Sequence, residues 1–308
     1  MILPTENSLG PFDRDLWIMR RNRAAQTLAN ANFLLAETNN RVVERLEDVK
    51  RSFPAAAVIG AWDGSMANAL SGRFGIETLT QIDAAPAMAT LAETAAPYAK
   101  TIVGDEEALP LEEASLDLIV APLTLHWTND LPGSLIQMRR ALKPDGLLIA
   151  ALFAGATLQE LRTHLTNAEV ETTGGLSPRI APMADLRDLG GLLQRAGLAL
   201  PVADREIIPV SYRNPMRLLN DLRAMGESNI MRERHKAPLR RDTLARMLEH
   251  YAETADTAGN VTATFEIAFL HGWAPAPNQQ QPLRPGSAKM RLADALGTEE
   301  KPTGEKPG

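Results

Sequence analysis

Between residues 54 and 154, short apolar segments alternate with segments of helical periodicity. The apolar segments have the length of strands, and they are apolar nearly throughout, as in strands that are buried on both faces. Helices that connect such strands make them parallel, so the pattern predicts an α/β fold with a doubly wound, mostly parallel sheet. The predicted strands are residues 56–59, 76–82, 101–103, 116–121 and 147–153.

The pattern changes on both sides of this core. The residues before it have helical spacing, which predicts an N-terminal helical arm over residues 1–53. After it, helical segments are interrupted by two more predicted strands, 206–212 and 261–270, which bring the sheet to seven strands. We therefore interpret residues 155–273 as a helical lid plus the completing strands of the same domain. The last 35 residues contain six of the 21 prolines, which predicts a disordered tail over residues 274–308.

Composition and charge exclude several classes of function and of binding site. The chain has no cysteine, which excludes disulfides, thiol nucleophiles and cysteine-ligated metal sites. Its net charge of −6 argues against a general nucleic-acid binder. The first residues lack the basic and apolar regions of a secretion signal, and the most apolar stretch, residues 147–156, is about half as long as a membrane span. We expect a cytoplasmic protein with no integral membrane segment.

Polar residues follow three consecutive strands. Gly60 and Gly64 lie in the loop after the first strand, where α/β folds bind the charged part of nucleotide-like ligands. Asp83 ends the second strand, where a carboxylate can accept two hydrogen bonds from a ribose diol. Asp105 ends the third and suits an adenine amino group. A structural interpretation stays open for the glycines as a tight turn and for Asp83 as a helix cap. Together these groups favour a nucleoside ligand.

Three later segments have the order of the motifs of a known family. Residues 104–111 (Gly-Asp-Glu-Glu-Ala-Leu-Pro-Leu), 116–120 (Leu-Asp-Leu-Ile-Val) and 142–146 (Leu-Lys-Pro-Asp-Gly) resemble successive motifs of class I S-adenosylmethionine (SAM) methyltransferases. The resemblance covers residues 54–154 and implies the Rossmann-like methyltransferase fold, with SAM as the cofactor. The residues that it places at the cofactor are Gly60, Ala61, Asp63, Gly64, Asp83, Asp105, Glu106 and Leu123.

A narrower resemblance extends over nearly the whole chain. Residues 12–14, 125–132, 157–162, 174–182 and 221–229 are similar to segments of the methyltransferase-like assembly factors of respiratory complex I. The mitochondrial members of that group are arginine hydroxylases that act on a subunit near the quinone site. This resemblance implies a protein substrate, a complex I subunit, that is modified by methyl transfer or by arginine hydroxylation. The biotin-pathway malonyl-carrier-protein O-methyltransferases are more distant relatives, and their activity is an alternative.

The first motif departs from the family pattern. Val58 stands where the resembled methyltransferases have an acidic residue that holds the SAM ammonium, and Trp62 replaces the middle glycine. Loss of one charge-assisted contact costs on the order of 1.5–3 kcal/mol, or roughly one to two decades of affinity. Asp63 is the neighbouring carboxylate that can replace the missing charge in part. A non-catalytic assembly chaperone with a degenerate SAM site is therefore a second hypothesis.

Several residues are candidates for the substrate side. His126 follows the fourth strand, which in this fold faces the reactive methyl, and histidine is the side chain best suited to general-base catalysis near neutral pH. A hydrogen-bonded structural histidine is the alternative. Trp127, Tyr212, Glu227 and Asn229 fall where insertions of the fold cover the substrate, so we expect them to contact it. The other histidines are scattered, and we predict no metal site.

Two basic clusters remain. Arg14, Arg20, Arg21 and Arg23 lie in the arm, and a second cluster spans residues 232–241. Either cluster suits an acidic partner surface, and the arm cluster could also cover the ligand. Solvated helix ends are the alternative explanation for both.

Overall fold

Seven strands form one sheet in the computed structural model, which describes residues 10–277 together with residues 279, 294, 297 and 298. They are β1 (Ala55–Ile59), β2 (Thr78–Asp83), β3 (Lys100–Val103), β4 (Leu116–Pro122), β5 (Leu142–Ala154), β6 (Ala199–Tyr212) and β7 (Val261–Trp273). Their order is β3-β2-β1-β4-β5-β7-β6, and β7 runs antiparallel to both of its neighbours while the other pairs are parallel. This confirms the predicted doubly wound, mostly parallel seven-stranded sheet.

Nine α-helices and two 3-10 turns occur in the same part of the chain. The helices are α1 (Arg14–Ala24), α2 (Phe33–Glu47), α3 (Ser65–Leu70), α4 (Pro86–Ala95), α5 (Leu131–Ala141), α6 (Gln159–Thr173), α7 (Leu186–Arg195), α8 (Pro215–Ala224) and α9 (Arg241–Glu253). The 3-10 turns are Leu28–Asn30 and Leu125–Trp127. Several helices are preceded by a residue whose side chain accepts a hydrogen bond from a backbone amide of the first turn. Asp13 does so for α1 and Asp130 for α5.

Successive residues of the central strands face two separate apolar cores. In β1, Val58 packs into the core that is shared with α2 and α3, whereas Ile59 packs into the core that is shared with α5 and α7. Both side chains are fully buried. The sheet is therefore covered on both faces, which explains why its strands are apolar without alternation.

The arm is divided into two helices where the sequence pattern predicted continuous helical spacing. The chain turns between α1 and α2 through the 3-10 turn, which buries Leu28 and Ala31. Strand β6 also begins earlier than predicted, at Ala199. It is an edge strand with alternating exposed side chains, Asp204 and Arg205 among its residues, so its apolar signal is weak.

Glu266 joins β7 to the turn between β5 and α6. Its carboxylate accepts hydrogen bonds from the backbone amide of Ala156 (2.9 Å) and from Arg205 (3.0 Å), and only 2 % of the residue is exposed. The Thr157 hydroxyl exchanges hydrogen bonds with the backbone of Glu266 in both directions. This turn leads into α6, so Glu266 fixes where the segment that we predict to be a lid leaves the sheet.

By their contacts, residues 1–275 form one unit and residues 276–308 a second. The predicted arm, core and lid all fall in the first unit. The predicted disordered tail lies outside the described residues, apart from residues 274–277 and four isolated positions. No helix within the described ranges has both the length and the apolar character needed to cross a membrane.

Replacement of Glu266 by alanine should destabilise the fold by about 1–3 kcal/mol, because it leaves the partly buried amide of Ala156 and the Arg205 guanidinium without their acceptor. Urea unfolding of the purified protein measures this loss. The matched control, Glu249→Ala on the exposed face of α9, should change the unfolding free energy by less than about 0.5 kcal/mol. Equal losses in the two variants would contradict the role of Glu266.

Candidate functional site

Asp83, at the carboxyl end of β2, is buried, and its carboxylate accepts three hydrogen bonds. Its carboxylate accepts hydrogen bonds from the Arg21 guanidinium (2.6 Å), from the backbone amide of Trp62 (3.1 Å) and from that of Ala85 (2.9 Å). The Arg21 and Asp83 side chains are no more than 1 % exposed. Helix α1 therefore covers this edge of the sheet with a compensating positive charge.

A second arginine of α1 pairs with the carboxylates after β3. Arg14 donates to Asp105 (2.7 Å) and to Glu106 (2.5 Å), and Glu106 also accepts from the Thr124 hydroxyl (2.6 Å). Burial raises the pKa of the Glu106 carboxyl above its usual value, while the charge of Arg14 opposes that rise. Asp105, Glu106 and Asp83 thus lie along one edge, under one face of α1.

The loop after β1 is shaped by backbone constraints. Gly60 has a positive φ of 81°, and a Cβ there would lie 2.7 Å from the Thr124 side chain. Gly64 also has a positive φ, and a Cβ there would lie 3.0 Å from the α4 backbone. Both glycines are therefore required by close packing of the chain. Asp63 accepts from the amide of Ser65 (3.1 Å) at the start of α3.

Trp62 fills the space beside this loop. Its indole N–H donates to the carbonyl of Pro122 (2.9 Å), and the Arg21 guanidinium lies 3.9 Å from its ring centroid. Trp62 itself has a φ of 52°, and Leu123, just after β4, has a φ of 47°. Such left-handed conformations are strained for non-glycine residues and are enriched at functional sites. Ala61 is held by a hydrogen bond from its amide to the carbonyl of Ile82.

The second half of the site is built around Glu227. One carboxylate oxygen, Oε2, lies 2.9 Å from Nε2 of His126 and 2.6 Å from the indole nitrogen of Trp127. Within the residues that the structure describes, the other oxygen, Oε1, has no hydrogen-bond partner and is buried, and the same is true of Nδ1 of His126. One carboxylate therefore joins the 3-10 turn after β4 to the turn after α8, and its Oε1 can accept a further hydrogen bond.

A cavity of about 210 Å³ lies against this pair of turns. Glu227 and Trp127 line it together with apolar side chains from β5, α6 and α8, among them Phe153, Leu161 and Leu222. Asn229 also lines it, and the Asn229 amide donates to the carbonyl of Pro178 (2.8 Å). The cavity is mostly apolar and is lined by one carboxylate, that of Glu227, and by Arg179 and Arg223, of which Arg179 is paired with Glu169. Its Glu227 side is suited to a ligand with an apolar stem and a cationic end.

The arm ties the two halves of the site together. Arg20 donates to the backbone carbonyl of Asn229 (2.5 Å), and the amide of Asp13 donates to the carbonyl of Ile230 (2.9 Å). Phe12 packs edge to face on Trp127, with ring centroids 5.2 Å apart. Helix α1 thus contacts both the carboxylates at the sheet edge and the turn that carries Glu227.

The structure brings Trp127, Glu227 and Asn229 to the cavity and places His126 against Glu227, but it separates Tyr212 from them. Tyr212 is buried at the end of β6 and lines a different depression beside Phe33 and Asp221. Burial, with the nearby Asp221 charge, raises the pKa of its phenol. Tyr212 therefore does not line this cavity, and the expectation that it contacts the substrate stays a prediction.

The pairing of α1 with the sheet edge was not identified from the sequence, which suggested only a covering role for the arm. A signal was present: Arg14 and Arg21 are seven residues apart, which puts them on the same helix face, with Trp17 between them. The two guanidiniums lie 4.0 and 5.0 Å from the Trp17 ring centroid. In the described part of the chain, no three His, Asp or Glu side chains are grouped so as to hold a metal ion.

Residues 58–150 match a family model described as a methyltransferase domain. The chain is 40% identical over 291 residues to the arginine-hydroxylase NDUFAF5, mitochondrial, of Homo sapiens, covering 93% of this chain and 84% of that protein. The Danio rerio protein of the same name is 36% identical over 293 residues, covering 94% and 91%.

Two further similarities are more distant. The malonyl-[acyl-carrier protein] O-methyltransferase of Gallionella capsiferriformans is 30% identical over 265 residues, covering 83% of this chain and 89% of that protein. The solved structure of the YcgJ protein from Bacillus subtilis matches with a TM-score of 0.55 at 15% identity, covering 78% of this chain and 99% of that chain, and this likeness supports the fold alone. The resemblances drawn from the sequence motifs are thereby confirmed. The chain belongs to the methyltransferase-fold family that includes the NDUFAF5 arginine hydroxylases and the malonyl-[acyl-carrier protein] O-methyltransferases.

Proposed function

We propose that this chain binds SAM at the carboxyl ends of β1 to β4 and modifies an arginine side chain of a protein substrate. By its resemblance to the complex I assembly factors, that substrate is a complex I subunit. The single observation that carries the substrate proposal is the buried Oε1 of Glu227, which has no hydrogen-bond partner among the described residues and lies beside a mostly apolar cavity. The names of the vertebrate relatives, arginine hydroxylases, agree with a guanidinium ligand.

The charges at the sheet edge fit a cationic nucleoside cofactor. Asp83, Asp105 and Glu106 carry three carboxylates, whereas α1 pairs them with the two guanidiniums of Arg14 and Arg21. SAM carries a net positive charge at neutral pH, so an acidic excess favours it. When bound, SAM supplies an electrophilic methyl group. The residues that would hold it are Asp83 at the ribose and Asp105 or Glu106 at the base.

In this structure Arg21 donates to the Asp83 carboxylate, which we propose as the acceptor for the ribose hydroxyls of SAM. Ligand binding at Asp83 therefore requires Arg21 to yield at least part of this contact, and two of its other nitrogens, Nε and Nη1, are buried without partners among the described residues. Arg20 of the same helix contacts the turn that carries Asn229, so a shift of α1 away from Asp83 would also act on that turn. We therefore propose that cofactor binding influences access to the cavity.

On the substrate side, Glu227 has two separate tasks. Its Oε2 orients His126 and Trp127, and its Oε1 is available to accept from a guanidinium whose apolar stem lies along Leu161 and Leu222. His126 lies behind Glu227 and not in the cavity lining, and its Nδ1 has no hydrogen-bond partner among the described residues, so it is our candidate acceptor for a substrate proton once a shift of this turn exposes it. Positioning of the substrate nitrogen supplies most of the rate in such a transfer.

Two alternatives remain distinct from this proposal. A non-catalytic assembly chaperone is favoured by Val58 and by the Trp62 ring, which packs under Arg21 next to the ribose carboxylate. A malonyl-carrier-protein methyltransferase would have to place its substrate carboxylate away from the buried Glu227 and near Arg179 and Arg223, which line the same cavity. Whether the arginine is methylated or hydroxylated stays open. The cytoplasmic location stays a prediction, because the names of the vertebrate relatives assign those proteins to mitochondria.

Replacement of Asp83 by asparagine should weaken SAM binding by about tenfold to a hundredfold, because charge-assisted hydrogen bonds to the ribose are lost. Titration calorimetry measures the affinity. Asp188→Asn, an exposed aspartate on α7, is the matched control and should bind like the wild type. The double variant Asp83→Asn/Arg21→Gln removes both partners of the buried pair and keeps the test valid if the single variant unfolds. No binding to the wild type at millimolar SAM would favour the chaperone hypothesis.

Replacement of Glu227 by glutamine should reduce binding of N-acetyl-arginine methylamide by about tenfold, because the buried negative charge that pairs with the guanidinium is removed. Ligand-observed NMR with SAM present reports this weak binding. The neutral citrulline analogue should bind weakly to both proteins, and Glu47→Gln, an exposed glutamate on α2, should behave like the wild type. Equal affinities for the arginine and citrulline compounds would overturn the assignment of Glu227.

A further inference from the structure

A wide basic groove borders the candidate substrate cavity. It encloses about 820 Å³ between α1, α8 and the segment of residues 228–239, and no Asp or Glu of the described residues lines it. Arg179, Arg223, Ser228 and Asn229 line both the groove and the cavity, so the two are continuous. The basic side chains of the groove are Arg20, Arg23, Arg179, Arg223, Arg234 and Lys236.

Most of these charges have no carboxylate partner among the residues that the structure describes. Arg179 pairs with Glu169 at 2.8 Å and Arg234 lies 3.4 Å from Asp13. Within the described residues, the other four have no carboxylate at ion-pair distance: Arg20 donates to the carbonyl of Asn229, Arg23 to the Met19 sulfur and Arg223 to Asn220. A chain with a net charge of −6 thus concentrates uncompensated positive charge beside its cavity.

The cations of the groove also repel one another. Burial lowers the pKa of Arg20, and the positive charges of Arg234 and Arg23 act in the same direction. An anion in the groove would relieve this repulsion, and a volume of about 820 Å³ is large enough for a short segment of chain.

Resting on the proposed function, we propose that the basic groove binds an acidic stretch of the same protein substrate whose arginine enters the cavity. The arginine and the acidic stretch would then contact Glu227 and the basic groove at the same time, which fixes the register of the substrate. A long polyanion such as a nucleic acid is disfavoured because it would meet the negative remainder of the surface, whereas a short acidic stretch needs only the groove.

Fluorescence anisotropy of short labelled peptides with the full chain and SAM tests this proposal. One peptide has a central arginine with a glutamate-rich flank, a second has a glutamine-rich flank, and a third keeps the glutamates but has citrulline at the centre. The acidic flank should strengthen binding to the wild type about tenfold at low salt, and the gain should shrink as salt is added. Arg23→Glu/Lys236→Glu should abolish the gain. Lys50→Glu/Lys100→Glu, exposed residues outside the groove with the same charge change, should keep it.

Equal binding of the acidic and neutral peptides to the wild type would overturn the proposal, as would an equal loss in both double variants. The citrulline peptide separates this result from the proposed function. If citrulline binds as well as arginine while the acidic flank still matters, the groove assignment stands and the arginine assignment fails. If arginine is preferred but the flank has no effect, the reverse is true.

Discussion

The buried ion pair between Arg21 and Asp83 is the interaction on which the site depends. Two charges removed from water are tolerated only when each neutralises the other, and loss of one partner from such a pair costs about 3–5 kcal/mol. Here the carboxylate is fixed by the end of β2 and by two backbone amides, so it determines where α1 must lie. Arg14 repeats the pairing seven residues earlier, against Asp105 and Glu106.

The position of α1 in turn sets the substrate side. Asp13 and Arg20 hydrogen-bond to Ile230 and Asn229, and Phe12 packs on Trp127, so the turn that carries Glu227 is held by the same helix. The cofactor edge and the cavity are therefore not independent. A ligand that competes with Arg21 for Asp83 also acts on the turn next to the cavity, which offers a physical route from cofactor binding to substrate binding.

The central sheet could be predicted from the sequence because its strands are buried on both faces and give long apolar runs. The predicted placement of Asp83 and Asp105 at strand ends followed from the same reasoning and agrees with the sheet topology. Strand β6 was recognised only in part, since an edge strand with residues such as Asp204 lacks that pattern. Tyr212 was predicted to contact the substrate because of its position in the chain. That position does not show in which direction its side chain points in the folded protein.

The tertiary partners of the charged residues could not be predicted from the sequence. Nothing in the local pattern of Glu227 shows that it meets His126 and Trp127, a hundred residues away in the chain. The effect of Trp62 was also hidden: the sequence shows a lost glycine, whereas the structure shows an indole that is hydrogen-bonded to Pro122 and covered by Arg21. Its left-handed backbone preserves the course of the loop that a glycine would otherwise provide.

The most direct test of this account is a crystal structure of the protein with S-adenosylhomocysteine, the demethylated form of SAM. The account predicts the ribose hydroxyls within hydrogen-bond distance of the Asp83 carboxylate, with the Arg21 guanidinium displaced from at least one of its oxygens. A nucleoside bound elsewhere, or Arg21 and Asp83 unchanged at saturating ligand, would contradict it.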